Sequence, residues 1–321
     1  GFKGSWLTSI LIKFGAIVKG YSLPPEKRSH INSLLNSDFL DSNFTHVYND
    51  IRNLNILEKE LTDFDPHIIF HLAAQPIVRK SYTEPLFTYE SNVIGTLNLL
   101  LSSQKCKNLN SIVIITTDKV YENRENIKPY SEDDRLGGYD LYSSSKACSE
   151  ILTESFKRSF YNLDKFKLSH NVLIATARAG NVLGGGDWSV DRLIPDIIKS
   201  IYNNDECIIR SPESIRPWQH VLDCLNGYLI LGEKLINQNK EFSSSWNFSP
   251  NSNEIVTVKD MINKAKKTWS LVNVKYPTVK TNKHESKILL LNSSKSNSML
   301  KWFPKYDTNL TIEKTINWYK S

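Results

Sequence analysis

The sequence lacks most of what would tie it to a membrane, a metal or a nucleic acid. Among its 321 residues there is no apolar run long enough to cross a bilayer. The first residues show no charged segment leading into an apolar stretch and a cleavage site, which predicts a cytoplasmic protein. The four cysteines, at 106, 148, 207 and 224, are far apart and form no C-x-x-C pair, so neither a disulfide framework nor a metal centre is expected. Lys and Arg outnumber Asp and Glu by only 40 to 34, and no basic run is interleaved with aromatics. Nucleic acid is therefore not an expected partner. The small cationic excess suits an anionic small-molecule substrate better. Internal repeats and low-complexity segments are also absent.

What is present supports a packed core. Hydrophobic residues make up 40% and aromatics 11% of a chain long enough for two domains, or for one domain with an appended lobe. Short apolar runs at Ala16–Tyr21, Ile68–Ala74, Ser111–Thr116 and Val172–Ala177 read as strands buried on both faces. Helical patterns lie between them, notably at 88–103 and 143–159. The alternation predicts an α/β protein with a doubly wound parallel sheet. Residues 1–180 read as a dinucleotide-binding domain and 181–321 as a smaller α/β lobe, with 214–250 a candidate to return to the main sheet. Helices are expected at 193–203 and 258–269, and a short strand at 287–291.

The chemistry-bearing residues concentrate in two places. Thr116-Thr117-Asp118-Lys119 follows a strand, and Tyr142 and Lys146 stand four apart on a helical pattern. That spacing puts both side chains on one helix face. A nearby ammonium favours a phenolate, which would fit Tyr142 for proton abstraction. Asp118-Lys119 is either an exposed surface pair or, at the carboxyl end of a strand where α/β sites form, an acid–base pair. Gly1 and Gly4 at a helix start suit close approach to a pyrophosphate. The strand and earlier glycine of a full dinucleotide fingerprint do not precede them. Asp50 with Ile51 is an adenine contact or a turn acid. Ala73, Ala74 and Gln75 could let a cofactor lie on the sheet edge, or simply pack well. Arg210, Arg216 and His220 cluster in sequence as phosphate ligands or structural ion-pair partners. His71 reads as a packed histidine, and His284 is a weak signal alone.

Taken together, the stretches GFKGSW (1–6), HLAAQPIVRKSY (71–82), ESNVIGT (90–96), TTDKVYEN (116–123), GGYDLYSSSK (137–146), ARAGNVLGGGDW (177–188), DRLIPDI (191–197) and SIRPWQHVLD (214–223) resemble the extended short-chain dehydrogenase/reductase family, and within it the CDP-glucose 4,6-dehydratases. Relatives acting on dTDP-glucose usually carry Thr-Asp-Glu where this chain has Thr117-Asp118-Lys119. The resemblance implies a lyase that uses tightly bound NAD and releases CDP-4-keto-6-deoxyglucose. Tyr142, helped by Lys146 and Thr117, would take the sugar 4-hydroxyl proton; Lys119 would be the base at C5, and Asp118 the acid for loss of the 6-hydroxyl. Gly1, Gly4, Asp50, Ile51, Ala73, Ala74, Gln75 and Asn92 are implied around the cofactor, together with Tyr142 and Lys146. Arg79, Asn181, Arg192, Leu193, Arg210, Arg216, Gln219 and His284 are implied around CDP-glucose. A homodimer built through a four-helix interface is implied, with a tetramer open.

Three departures set the chain apart, one of them Lys128-Pro129-Tyr130 where a more aromatic stretch is expected. With the first strand of the motif missing, the expectation is a sheet short of a central strand and weak NAD binding. Ser22-Leu23-Pro24-Pro25 replaces the usual ribose-binding acid, which leaves NADP open as the cofactor. A 4-epimerase, a dTDP-glucose dehydratase and a non-catalytic nucleotide-sugar binder remain as alternatives.

Overall fold

A computed structural model describes residues 1–25, 43–250, 255–277 and 286–321. The chain enters through helix α1 (Phe2–Lys13), and strands β1 (Val18–Ser22) and β2 (Phe44–Tyr48) form a parallel pair. Helix α2 (Leu54–Phe64) leads to β3 (Ile68–His71). After it come α3 (Val78–Thr83), α4 (Pro85–Tyr89), a π-helical turn at Glu90–Ile94 and α5 (Gly95–Ser103). Strand β4 (Ser111–Ile115), the long α6 (Leu141–Phe160) and β5 (Leu173–Ala179) complete the centre. Beyond it lie β6 (Asn181–Leu183), α7 (Leu193–Asn203), β7 (Cys207–Ile208), β8 (Trp218–His220), α8 (Val221–Ile236) and β9 (Ser245–Phe248). The last elements are α9 (Val258–Thr268), β10 (Val274–Lys275), α10 (Ser294–Met299) and α11 (Thr308–Lys320).

Every strand pairing among the described residues is parallel. The main sheet runs β3-β4-β5-β9, and β6 pairs with β8 and β7 with β10. Among the described residues the β1–β2 pair and the main sheet are separate sheets. Every residue of β4 and β5 is buried. Strand geometry sends Val113 and Ile115 to one face and Ile112 and Ile114 to the other. The first face packs on Leu7 of α1 and on Leu225, Tyr228 and Leu231 of α8. The second packs on Leu99 and Leu100 of α5 and Phe156 of α6. Each large apolar side chain so enclosed contributes about 1.5–3 kcal/mol. These continuous apolar runs are the signature of a sheet covered on both sides.

Past Gly180 the chain divides between two bodies. Ile194, Ile197 and Ile198 of α7, Met261 and Ile262 of α9 and Ile312 and Ile316 of α11 form a separate core. Residues 221–248 meanwhile return, with α8 covering the main sheet and β9 extending it.

Two expected elements differ. The helix expected over 88–103 is interrupted at Glu90–Ile94. The strand expected over 287–291 is a pair of isolated bridges, Ile288 to Ile215 and Leu291 to Tyr130. Its backbone is shared between those two segments: Ile215 N donates to Lys287 O and Tyr130 N to Leu290 O, so no continuous ladder forms.

Candidate active site

The carboxyl ends of β4 and β5 open onto a cleft whose far wall is built by α7, β7 and β8. This is the position at which parallel α/β sheets place their ligands. Buried Ile115 ends β4, and the chain then makes a single 3₁₀ turn at Asp118–Val120. Thr117 starts that turn, its hydroxyl donating to Asp118 Oδ1 (2.9 Å) and accepting from Lys119 N (3.4 Å). Asp118 is 2% exposed. Burial pushes its carboxyl above the usual carboxylate range, against the opposing pull of Lys119, Thr117, Arg216 and Lys3. Its Oδ2 has no hydrogen-bond partner among the described residues.

Tyr142 and Lys146 enter from α6. Asp140 caps this helix, accepting from Ser143 N (2.9 Å) and Ser143 Oγ (2.7 Å). Gly138, at φ +120°, makes the preceding turn, where a Cβ would meet Ser144 N at 2.4 Å. Both Tyr142 and Lys146 line the cleft beside Thr117, Asp118 and Lys119. The expected help from the lysine is not seen. Burial lifts the Tyr142 phenol to about 12, offset in part by a hydrogen bond with Thr117. Lys146 Nζ donates to Ile115 O at 3.0 Å, so its ammonium is directed to the strand end rather than the phenol. Burial lowers Lys146 to about 8.

Asn92 sits in the π-helical turn, a device that often marks functional positions. It accepts from Gln75 N (2.8 Å) and donates to Gln75 O (3.1 Å) and Ser145 Oγ (2.9 Å). It thus ties the loop after β3 to the helix carrying Tyr142 and Lys146. The Gln75 side chain is committed to Thr88 and to Ile77 N.

The residues expected around a dinucleotide are only partly gathered. A Cβ on Gly1 or Gly4 would meet nothing within 4 Å, so both backbones are open to a close ligand. Ala74 lines the cleft, whereas Ala73 packs on the core behind it. Asp50 lies apart, its carboxylate held by Arg52 at 2.8 Å, and Ile51 is buried against Gly95. These features fit a dinucleotide laid along the start of α1 and the ends of β3 and β4.

Of the expected substrate ligands, Arg79, Asn181, Arg192, Leu193, Arg210 and Arg216 line the cleft. Arg192 pairs with buried Asp187 (3.0 Å), and Asp191 takes both Arg210 (3.0 Å) and Arg79 (3.4 Å). Arg216 is 5% exposed and donates to Ile215 O (2.8 Å) and Lys287 O (3.3 Å). Gln219 departs from expectation. On β8 alternate side chains face opposite ways; Trp218 takes the cleft side, and Gln219 turns away to donate to Phe248 O at 2.8 Å. His220, expected near the arginines, caps α8 through Leu222 N (3.3 Å) and stacks on Tyr306. His284 lies outside the described residues. No group of side chains suited to a metal ion occurs among the described residues.

Two cleft residues escaped the motif reading. Lys3 enters between the two glycines, donating to Tyr228 Oη at 3.3 Å, and burial pushes its ammonium below the ordinary lysine range. Its cationic side chain inside a glycine-rich helix start was the available signal. Asp196 also lines the cleft; it lies within the DRLIPDI stretch (191–197), whose resemblance assigns it no role.

Fold and site together define an enzyme of the extended short-chain dehydrogenase type: a parallel sheet, a tyrosine–lysine helix, and a hydroxyl–carboxylate–amine turn facing it. The model of the GDP-mannose 4,6 dehydratase family matches residues 1–315, and the chain belongs to that family. It is 42% identical to the CDP-glucose 4,6-dehydratase of Salmonella typhimurium over its whole length, covering 88% of that protein. It is 23% identical to the CDP-paratose 2-epimerase of Salmonella typhi, covering 97% of it. Among solved structures, UDP-glucuronic acid 4-epimerase from Bacillus cereus superposes with a TM-score of 0.84 at 23% identity, across 100% of this chain and 96% of that one. The dTDP-glucose 4,6-dehydratase of Bacillus anthracis gives 0.82 at 19% identity, across 100% and 94%. At those identities the likeness is one of fold.

Proposed function

We propose that this protein is a CDP-glucose 4,6-dehydratase, a lyase that removes water from the hexose of CDP-glucose to leave the 4-keto-6-deoxy sugar. One observation carries the reaction type. Asp118 is buried, its carboxyl is biased toward the protonated form, and one oxygen is left without a partner beside Lys119. Oxidation at C4 alone needs only Tyr142, Lys146 and Thr117. An added acid and amine at the same site suit elimination across C5 and C6. The choice of nucleotide is supported by the Salmonella typhimurium relative.

NAD, which Gly1, Gly4 and Ala74 would hold with Lys146 nearby, would supply the reversible hydride-carrying chemistry that the reaction needs. Tyr142 takes the 4-hydroxyl proton, with Thr117 holding the phenol in place. Lys119 removes the C5 proton once the adjacent carbon is a ketone, and gives it back to C5 when hydride is delivered to C6. Asp118 gives its proton to the departing 6-hydroxyl, a role that its buried, unpartnered Oδ2 supports. Arg192, Arg210 and Arg216 bind the diphosphate. For that, Arg210 must exchange Asp191 for phosphate oxygens.

The same reading includes a homodimer. Leu141 and Ile151 of α6, with Leu86 and Ile94 before α5, are exposed apolar side chains on neighbouring helices, and pairing two such faces would make a four-helix interface. No described helix is long and apolar enough to cross a membrane.

The test is the purified protein with NAD⁺ and CDP-glucose, followed by the absorbance that a 4-keto-6-deoxy sugar develops in alkali. A signal with CDP-glucose well above those with dTDP- and UDP-glucose is expected. Net reduction of the cofactor, or a 4-epimer as product, would refute the proposal.

A further inference from the structure

We propose that Asp196 reads the base of the nucleotide sugar, its carboxylate accepting a hydrogen bond from the 4-amino group of cytosine. The inference rests on the CDP-sugar reading above and names the residue that enforces it.

The cleft has an order. The hexose belongs at Tyr142, Thr117 and Asp118. Arg192 acts electrostatically on Tyr142, and Arg216 on Asp118, so these cations adjoin the reacting end. Arg210 comes next, bound to Asp191. Asp196 lies one turn along α7 from Arg192, and its charged neighbours are Lys199, Asp191, Arg210 and Asp187, with no catalytic group among them. A nucleotide sugar laid hexose-first along this series brings its diphosphate to the arginines and its base to Asp196.

The walls at that end suit a flat ring. Ile194 and Pro195 on α7, Cys207, Ile208 and Ile209 around β7, and Val258 on α9 all line the cleft there. Apolar walls with one placed polar group are the common form of a base or ring pocket. Asp196 is that polar group. Its neighbour Lys199 is 3.9 Å away, beyond hydrogen-bond distance, and its carboxylate has no hydrogen bond among the described residues. Burial lifts Asp196 to about 6, with Lys199 and Arg210 pulling down and Asp191 and Asp187 pushing up, so it is an acceptor at neutral pH.

The pyrimidines differ at this edge. Cytosine presents an N4 donor, whereas thymine presents an O4 acceptor, and an aspartate is a natural partner for the former. Uracil shares the O4 acceptor, so a carboxylate repels both uracil and thymine at the atom where it attracts cytosine.

The experiment compares kcat/KM for CDP-glucose and UDP-glucose, and equilibrium binding of CMP and UMP, in the full chain and in Asp196→Leu, Asp196→Asn and Asp196→Glu. Loss of one charged hydrogen bond predicts a fall of about 10- to 100-fold for CDP-glucose in Asp196→Leu, mostly in KM. In Asp196→Asn the amide can donate to O4, so the CDP-to-UDP ratio narrows from both sides. Asp196→Glu should keep a preference for CMP. UMP binding in each variant reports that the cleft is intact. A CDP-to-UDP and CMP-to-UMP ratio unchanged by Asp196→Leu would overturn the proposal. If the unmodified protein turned over no CDP-glucose, the functional reading would fail instead, and the CMP-to-UMP ratio would still decide the base contact.

Discussion

Individual side chains here are set by burial more than by their nearest charged neighbour. Lys146 shows this best. It is 4% exposed and is lowered from 10.5 to about 8 by burial. An unfolded chain therefore binds more protons than the folded one between those two values. Stability should rise as pH climbs through that window. The protonated lysine costs on the order of 3 kcal/mol at neutral pH. Lys146→Met should accordingly raise the melting temperature of the cofactor-free protein at pH 7, lose the stability gain above pH 8, and abolish turnover. Thermal denaturation at pH 7 and pH 9.5 checks it; a less stable variant at pH 7 would show that the bond to Ile115 O outweighs desolvation. Lys119 gives a sharper test of chemistry. Lys119→Ala should stop dehydration while sparing C4 oxidation, seen as cofactor reduction without a 4-keto-6-deoxy product. Full turnover would remove Lys119 from the elimination step.

At the scale of elements, one buried ion pair locks the catalytic helix to the sheet. Glu150 lies one helical turn beyond Lys146 and is 3% exposed. It accepts from Thr116 at the end of β4, from Thr176 at 2.6 Å, and from Arg178 Nε and Nη2 at 2.9 Å each. Arg178 also donates to Tyr121 Oη at 2.8 Å, which donates onward to Asn247 on β9. Thr116 directly precedes the Thr117-Asp118-Lys119 turn, so Glu150 fixes both halves of the site to each other. Removing one member of such a pair strands the other without compensation. Glu150→Ala should cost about 3–5 kcal/mol in denaturant unfolding. Glu150→Leu combined with Arg178→Met should recover much of that loss.

Elements were legible in the sequence where one rule governed them. β4 is an apolar run from Ile112 to Ile115 and β5 is apolar apart from Thr176 and Arg178, and the four-residue spacing of Tyr142 and Lys146 predicted their shared helix face. Legibility failed where side-chain networks outvoted the local pattern. The bonds of Asn92 to Gln75 and Ser145 accompany a π-turn that no apolar spacing signals. Gln219 and His220 belong to a motif rich in phosphate-binding types, yet strand alternation and a helix cap claim them. Asp196 was invisible because only the fold brings α7 opposite β7.

At the scale of the whole molecule, the cleft exists because two bodies share one chain: a sheet with the reacting groups and a smaller core with the cations. The exposed apolar strip on α6 and the segment before α5 predicts that the protein does not travel alone. Light scattering should give a mass near twice the 36.8 kDa of the chain, or a multiple of that. Ile151→Glu, at a position 58% exposed, should shift the mass toward the monomer with little loss of secondary structure. A monomeric unmodified protein would exclude the four-helix interface.

The loop between the bodies is braced from far along the chain. Tyr319 Oη donates to Asp187 O at 2.6 Å across 132 residues, and Trp318 packs so closely on Gly185 that a Cβ there would lie 2.0 Å from its ring. Asp187 in turn holds Arg192. During synthesis, the ribosome must add those 132 residues after the loop has formed. At translation speeds of about 5–20 residues per second, that interval is roughly 7–26 seconds. Within that time α8 and β9 complete the sheet while the loop still lacks its brace. The nascent protein should therefore gain substrate affinity only once Trp318 and Tyr319 have been added and have braced the loop.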